Sequence, residues 1–156
     1  MSPPAIPSRE EIHQWLLDFH STSAALDAEN YVDKFFTPTA TIHFGNLPPV
    51  SGRENILAMF TQTFAALDSM EHEVVHFDIV PGTGRVYQAA DITYVVKGDP
   101  KREVFTVRGL AVCDWPEEAE GEGGVMRAQR MQIFLDPSAV FARMGEVAAA
   151  RAGAGV

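Results

Sequence analysis

Cysteine is almost missing from this chain: Cys113 is the only one in 156 residues. A single thiol closes no internal disulfide and leaves no cysteine-built metal site. Long apolar runs are missing too, so no stretch reaches membrane-spanning length. The opening residues, MSPPAIPSREE, hold no apolar run of the kind a secretory leader has. Positive charge is scarce, with 12 Lys and Arg against 21 Asp and Glu and a net charge of −9. Nucleic-acid phosphates require clusters of Lys and Arg, and this balance argues against such a partner. No glycine-rich phosphate loop, nucleophile elbow or metal-ligand cluster is present, so neither cofactor nor metal is expected. The expectation is a cytoplasmic globular protein that engages neither nucleic acid nor membrane.

At this length the chain makes one domain with a real core. Residues 1–7 contain Pro3, Pro4 and Pro7 and read as a loose arm. The domain is expected over 8–150, and 151–156 reads as a flexible tail. Ser8 with Glu11 forms a capping-box pattern, and Ile12, Trp15, Leu16 and Phe19 follow at helical spacing to about His20. Ser21-Thr22-Ser23 is expected to break that helix. A second helix follows over about 24–36 and ends at Thr37-Pro38. After a short strand at 40–45 and a turn through Asn46-Leu47-Pro48-Pro49, a third helix spans 53–67. Strands then dominate: 70–80, 85–97, 102–115 and 125–135, joined by Pro81-Gly82-Thr83-Gly84, by Gly98-Asp99-Pro100 and by an acidic loop over 116–124. Asp136-Pro137-Ser138 opens a closing helix over 139–150. Hairpin connections imply an antiparallel sheet, and this order of elements is α+β.

The strand at 70–80 organises the rest. Alternation puts His72, Val74, His76 and Asp78 on one face. Four residues along a strand span roughly 13 Å, too far for two ligands of one ion, so these histidines read as separate polar points on an apolar wall. On the next strand Gln88, Ala90, Ile92 and Tyr94 share a face. Asp91 belongs to the opposite, outer face, with Arg108 or Arg130 as its partner.

Two phrases carry a family resemblance: YVDKFFTPTATIHFGNLPPVSGRENI at 31–56 and AQRMQIFLDPSAV at 128–140. In order and spacing the chain resembles the nuclear transport factor 2-like superfamily, in its branch of SnoaL-like polyketide cyclases, ketosteroid isomerases and scytalone dehydratases. The resemblance implies a strongly curved antiparallel sheet wrapped around N-terminal helices, a cone-shaped α+β barrel, here with an extra C-terminal helix. It also implies a ligand site in the cone and a homodimer through the outer sheet face.

Measured against the family, three carboxylates are missing. Phe44 stands where ketosteroid isomerase has its general-base Asp, Gly109 near its oxyanion-hole Asp, and Ile133 where epoxide hydrolases of this fold have an Asp. The dehydratase pattern is matched in part: Trp15, Phe19 and His20 fall at its helix-one Trp, Tyr and Asp, His72 near its first catalytic His and Tyr94 near its second. These positions nominate His72 as acid/base, Tyr94 as the donor that polarises an oxygen, and His76 as an auxiliary. The other reading of His72 is a hydrogen-bonded wall histidine, and of Tyr94 an aromatic of the core.

Trp15, Phe19, His20, Phe44, Asn46, Phe60, Gln88, Met131, Ile133, Leu135 and Phe141 are nominated to contact the ligand, a hydrophobic small molecule. The expected activity is a cofactor-independent cyclase, dehydratase or isomerase acting on a polyketide- or terpenoid-like compound. The alternative is a non-catalytic module of the same fold that binds a small molecule or another protein.

Overall fold

The computed structural model describes residues 7–116 and 126–155. The arm at 1–6 and the acidic segment at 117–125 lie outside the described residues.

Helix α1 (Arg9–Ala24) starts at the expected capping box. Ser8 Oγ accepts from the Glu11 backbone N–H at 3.2 Å, and the Glu11 carboxylate accepts from the Ser8 N–H at 2.7 Å. The helix runs through Ser21-Thr22-Ser23 instead of breaking there, with the Ser23 hydroxyl donating to the His20 carbonyl at 2.8 Å. Asp27 caps α2 (Ala28–Phe35) by accepting from the Asn30 N–H. The chain passes directly into β1 (Phe36–Phe44), and Pro38 is carried within that strand. Strand β2 (Val50–Ser51) is a two-residue edge piece, and α3 (Arg53–Ala65) follows.

Three long strands come next: β3 (Leu67–Ile79), β4 (Arg85–Val96) and β5 (Val104–Asp114). Strand β6 (Ala128–Phe134) is shorter than expected at both ends. Helix α4 (Ser138–Ala154) continues into what reads as tail in the sequence.

The sheet order is β2-β1-β6-β5-β4-β3. One junction departs from the expected antiparallel arrangement: β1 and β6 run parallel, with Ile42 beside Met131 and Phe44 beside Ile133. The first long strand and the last thus meet side by side, which hairpin reasoning does not anticipate. The sheet is open, with β2 and β3 at its two edges, so the cone is not a closed barrel.

The sheet's concave face receives α1, α2 and α3. Ile12, Leu16, Val32, Ile42, Ile56 and Met131 are almost fully buried between the layers. The convex face carries the pair of Asp91 and Arg108. Arg108 donates to both carboxylate oxygens of Asp91, at 2.8 and 3.0 Å, as the outer-face assignment of Asp91 requires.

Candidate functional site

Between the concave sheet and the helices lies a cavity of about 160 Å³. Among the described residues, no Asp, Glu, Lys or Arg lines it. Alternation delivers the walls: Gln88, Ala90, Ile92 and Tyr94 from β4, Phe44 from β1, and Met131 and Ile133 from β6, with Leu135 just beyond. Helix α1 adds Phe19 and His20, α3 adds Phe60, and α4 lays Val140, Phe141 and Met144 across the top. All of these wall positions except Ala90, Ile92, Val140 and Met144 were nominated from the sequence as catalytic or ligand contacts. Gly109 also lines the cavity, so the three positions at which the resemblance implies carboxylates face it here as Phe44, Gly109 and Ile133.

Three nominated residues are not brought to the cavity. His76 is exposed, because the pairing of β3 with β4 shifts between Val74 and His76. One extra residue, Val75, is inserted without a partner in the register, and the alternation changes phase there. His72 and Val74 point inward before the bulge; after it Phe77 and Ile79 do, while His76 and Asp78 turn outward. The expected shared face of His72 and His76 therefore does not exist.

Trp15 sits in the core instead. Its ring stacks on Phe19 at 4.9 Å and meets Phe35 and Trp115 edge-on, and its Nε1–H donates to the Met126 carbonyl at 2.8 Å. Asn46 is an exposed turn residue, and its neighbour Leu47 takes the place at the cavity mouth.

Three polar side chains of the cavity, His20, His72 and Gln88, meet in one corner. His20 from α1 and His72 from β3 stack with ring centroids 4.4 Å apart and planes inclined by 19°. His20 Nε2 lies 2.8 Å from Gln88 Oε1, and with the amide oxygen accepting, the His20 proton resides on Nε2. The Nδ1 atoms of both histidines are buried and have no hydrogen-bond partner. Burial disfavours the imidazolium form, so both rings are held neutral. Desolvation, reinforced by the nearby His20, pushes His72 down from 6.5 to about 3. Desolvation lowers His20 as well, partly offset by its bond to Gln88.

Tyr94 lies diagonally across the pair of strands from His72, since Ile92 is the residue opposite His72 and Met70 is opposite Tyr94. Burial raises the Tyr94 phenol to about 12, so it remains a hydrogen-bond donor at neutral pH. Tyr31 reaches the cavity from α2, and burial raises its phenol well above the ordinary value. Sequence reasoning does not nominate Tyr31, because its helical phase is the same for a core and a cavity position. Cys113 is fully buried and pushed up to about 12 by burial, as befits an inert core thiol.

This fold agrees with the comparisons. Residues 16–121 match the SnoaL-like domain family, and the chain belongs to that family. Among solved structures it is similar to ActVI-ORFA from Streptomyces coelicolor, with a TM-score of 0.65 and 16% identity over 81% of this chain and 96% of the other. It is also similar to PrhC from Penicillium brasilianum, with a TM-score of 0.72 and 12% identity over 92% of each chain. A third similar structure is SalBIII, an epoxide hydrolase/cyclase-like enzyme with a role in pyran ring formation in the polyether salinomycin; the TM-score is 0.67 at 18% identity, over 83% of this chain and 93% of the other. At these identities the likeness is one of fold. No curated protein matches the sequence.

Proposed function

We propose that this protein is a cofactor-independent cyclase, dehydratase or isomerase that moves a proton on a hydrophobic, polyketide- or terpenoid-like molecule held in the cone. The observation that carries this reading is the His20–His72 stack, a pair of neutral imidazoles in the wall of a cavity with no charged lining among the described residues. A neutral imidazole is a base that can also return what it takes. In the proposed step a proton leaves the carbon next to a substrate carbonyl for the bare ring nitrogen of His72. The C–H electron pair moves toward the carbonyl oxygen, and the Tyr94 hydroxyl donates a hydrogen bond to the resulting enolate. Returning the proton to another carbon gives isomerisation. Loss of a β-hydroxyl as water, taking the proton that His72 holds, gives dehydration, and attack of the enolate carbon on an internal electrophile gives a ring. Desolvation makes free His72 a weak base, and the enolate's negative charge beside the ring favours its protonated form during the step.

The test is deuterium exchange into the α-carbon of 2-tetralone, a neutral aromatic ketone, followed by proton NMR in heavy water. Exchange above the buffer rate that is lost in His72→Gln is expected. Equal exchange by wild type and variant sinks the catalytic role of His72.

A second reading has its own support. Phe44, Gly109 and Ile133 line the cavity where relatives of the resembled branch have carboxylates, which favours a module that binds a lipophilic ligand without changing it. Such a module would return the ligand intact and tolerate His72→Gln. A homodimer through the convex sheet belongs to either reading. Tyr87 and Phe134 are exposed there at 38% and 54%, and an apolar patch of this kind on a sheet face suits a second copy.

A further inference from the structure

We infer that Gln88 is a positioning residue: its side-chain amide holds the His20 ring in one tautomer and one orientation without giving it a charge, and so keeps a fixed, neutral ring stacked on His72. The inference rests on the proton-transfer reading of the cone and adds to it a residue that acts through His20.

The bond from His20 Nε2 to Gln88 Oε1 crosses from helix α1 to strand β4, between side chains that are 7% and 1% exposed. With the amide oxygen accepting, Nε2 carries the ring proton and Nδ1 is bare. The opposite tautomer would bury an N–H at Nδ1, which has no acceptor there. One hydrogen bond therefore selects the tautomer and also stops the ring from turning. The face of that ring is what His72 packs against, at 4.4 Å and nearly parallel. A His20 ring free to turn would lose this stack, and His72 would lose one wall of its own seat.

An amide does this without charge, and a carboxylate would not. A carboxylate at position 88 could also accept from Nε2–H, but its charge would favour the imidazolium form of His20. That cation would lie 4.4 Å from His72 and make His72 harder to protonate. With the amide in place, burial still lowers His20, and the bond to Gln88 offsets this only in part. The other titratable side chains that line the cavity are His72 from β3, Tyr31 from α2 and Tyr94 from β4, and burial keeps both phenols protonated. Among the described residues, no lining group carries a charge that would offset an imidazolium on His20. Burial thus keeps the pair neutral, and the amide orients it without undoing that.

Gln88→Leu and Gln88→Glu, each checked for native circular dichroism, test the inference by two readouts. Long-range proton–nitrogen-15 correlation spectra of wild type should show His20 protonated at Nε2 alone. In Gln88→Leu both tautomers should appear, and kcat for exchange of 2-tetralone should fall at least about tenfold at every pH, with KM changed by less than about twofold. In Gln88→Glu the His20 ring should be an imidazolium at neutral pH, with exchange down at least about tenfold relative to wild type. As pH rises and that ring loses its proton, exchange should return toward the wild-type rate at the same pH, a recovery that a damaged fold would not show. An Nδ1–H signature in wild type, or a single unchanged tautomer in Gln88→Leu, overturns the positioning role. A neutral His20 at neutral pH in Gln88→Glu overturns the claim that the amide spares the ring a charge. Wild-type exchange in that variant while His20 is cationic overturns the need for a neutral ring. The spectra need no substrate, so they decide the role of Gln88 by themselves, whereas a wild-type protein that exchanges no tetralone counts against the proton-transfer reading.

Discussion

His20 and His72 come from different layers, helix α1 and strand β3, and their rings stack 4.4 Å apart against the cavity. Neither ring can take a proton without placing a cation in an apolar wall, and protonating one disfavours protonating the other.

Acid should therefore destabilise the fold through this pair. His72 is held down to about 3 in the fold against 6.5 ordinarily, so the unfolded chain takes up the proton first as pH falls. The stability that depends on neutral His72 is fully present above about pH 6.5 and drains away toward about pH 3, by a few kcal/mol in all. Unfolding free energy measured by denaturant at intervals from about pH 7 to 4 should fall more steeply in wild type than in His72→Gln. Parallel slopes would show that the His72 ring is not desolvated.

His76 provides the contrast. The bulge at Val75 turns it to solvent, so His76→Ala should change stability by no more than about 0.5 kcal/mol and leave tetralone exchange at the wild-type rate. A loss of exchange in this variant would restore His76 to the site.

Gly109 gives a way to fill the cavity from the sheet. A Cβ at this position would lie 3.3 Å from Leu135 Cβ, so Gly109→Val crowds Leu135 and occupies ligand space. Affinity for 2-tetralone should drop at least about tenfold while the far-ultraviolet circular dichroism stays native, because Val suits a strand. Unchanged affinity would move the ligand away from the centre of β5.

Helix α4 is tied down at one point in particular. Arg143 donates to the buried carboxylate of Asp99 in the β4–β5 turn, where Asp99 also accepts from the backbone N–H groups of Lys101 and Glu103. The Arg143 guanidinium holds the Asp99 carboxyl well below the usual carboxylate range. Arg143→Met should lower the melting temperature by several degrees and speed amide hydrogen exchange in α4 ahead of β4. Because Phe141 and Met144 of the same helix cover the cavity, the dissociation rate of bound 2-tetralone should rise in this variant. Protected α4 amides and an unchanged dissociation rate would remove Arg143 from this role.

The convex face makes a separate prediction. Light scattering coupled to size exclusion should give a dimer for wild type and a monomer for Tyr87→Glu/Phe134→Glu, since a carboxylate in the middle of an apolar interface is costly. A wild-type monomer at all accessible concentrations would dismiss the dimer.

Much of this molecule was legible in the sequence because it depends on local rules. The capping box at Ser8 and Glu11 and the two-residue alternation of Gln88, Ala90, Ile92 and Tyr94 act within a few residues of chain. So does the outward turn of Asp91, and Asp99 and Asp136 sit in turns that Gly98 and Pro137 announce. Phe44, Met131 and Ile133 were nominated as wall residues from their apolar bulk, and Phe44 and Ile133 also from the family resemblance.

What local rules could not reach was decided between elements. The bulge at Val75 exists only in the pairing of β3 with β4, and it is what separates His72 from His76. The parallel contact of β1 with β6 joins strands from opposite ends of the chain. Trp15 and Phe19 share one helical stripe, yet the angle at which α1 crosses the sheet gives the core the first and the cavity the second. The same docking sets His20 on His72 and beside Gln88. Sequence thus determined most of the side chains that face the inside of the cone, but not those beyond the bulge of β3. Only the tertiary structure decided which of them meet, because strand register and helix docking are set by packing over the whole core.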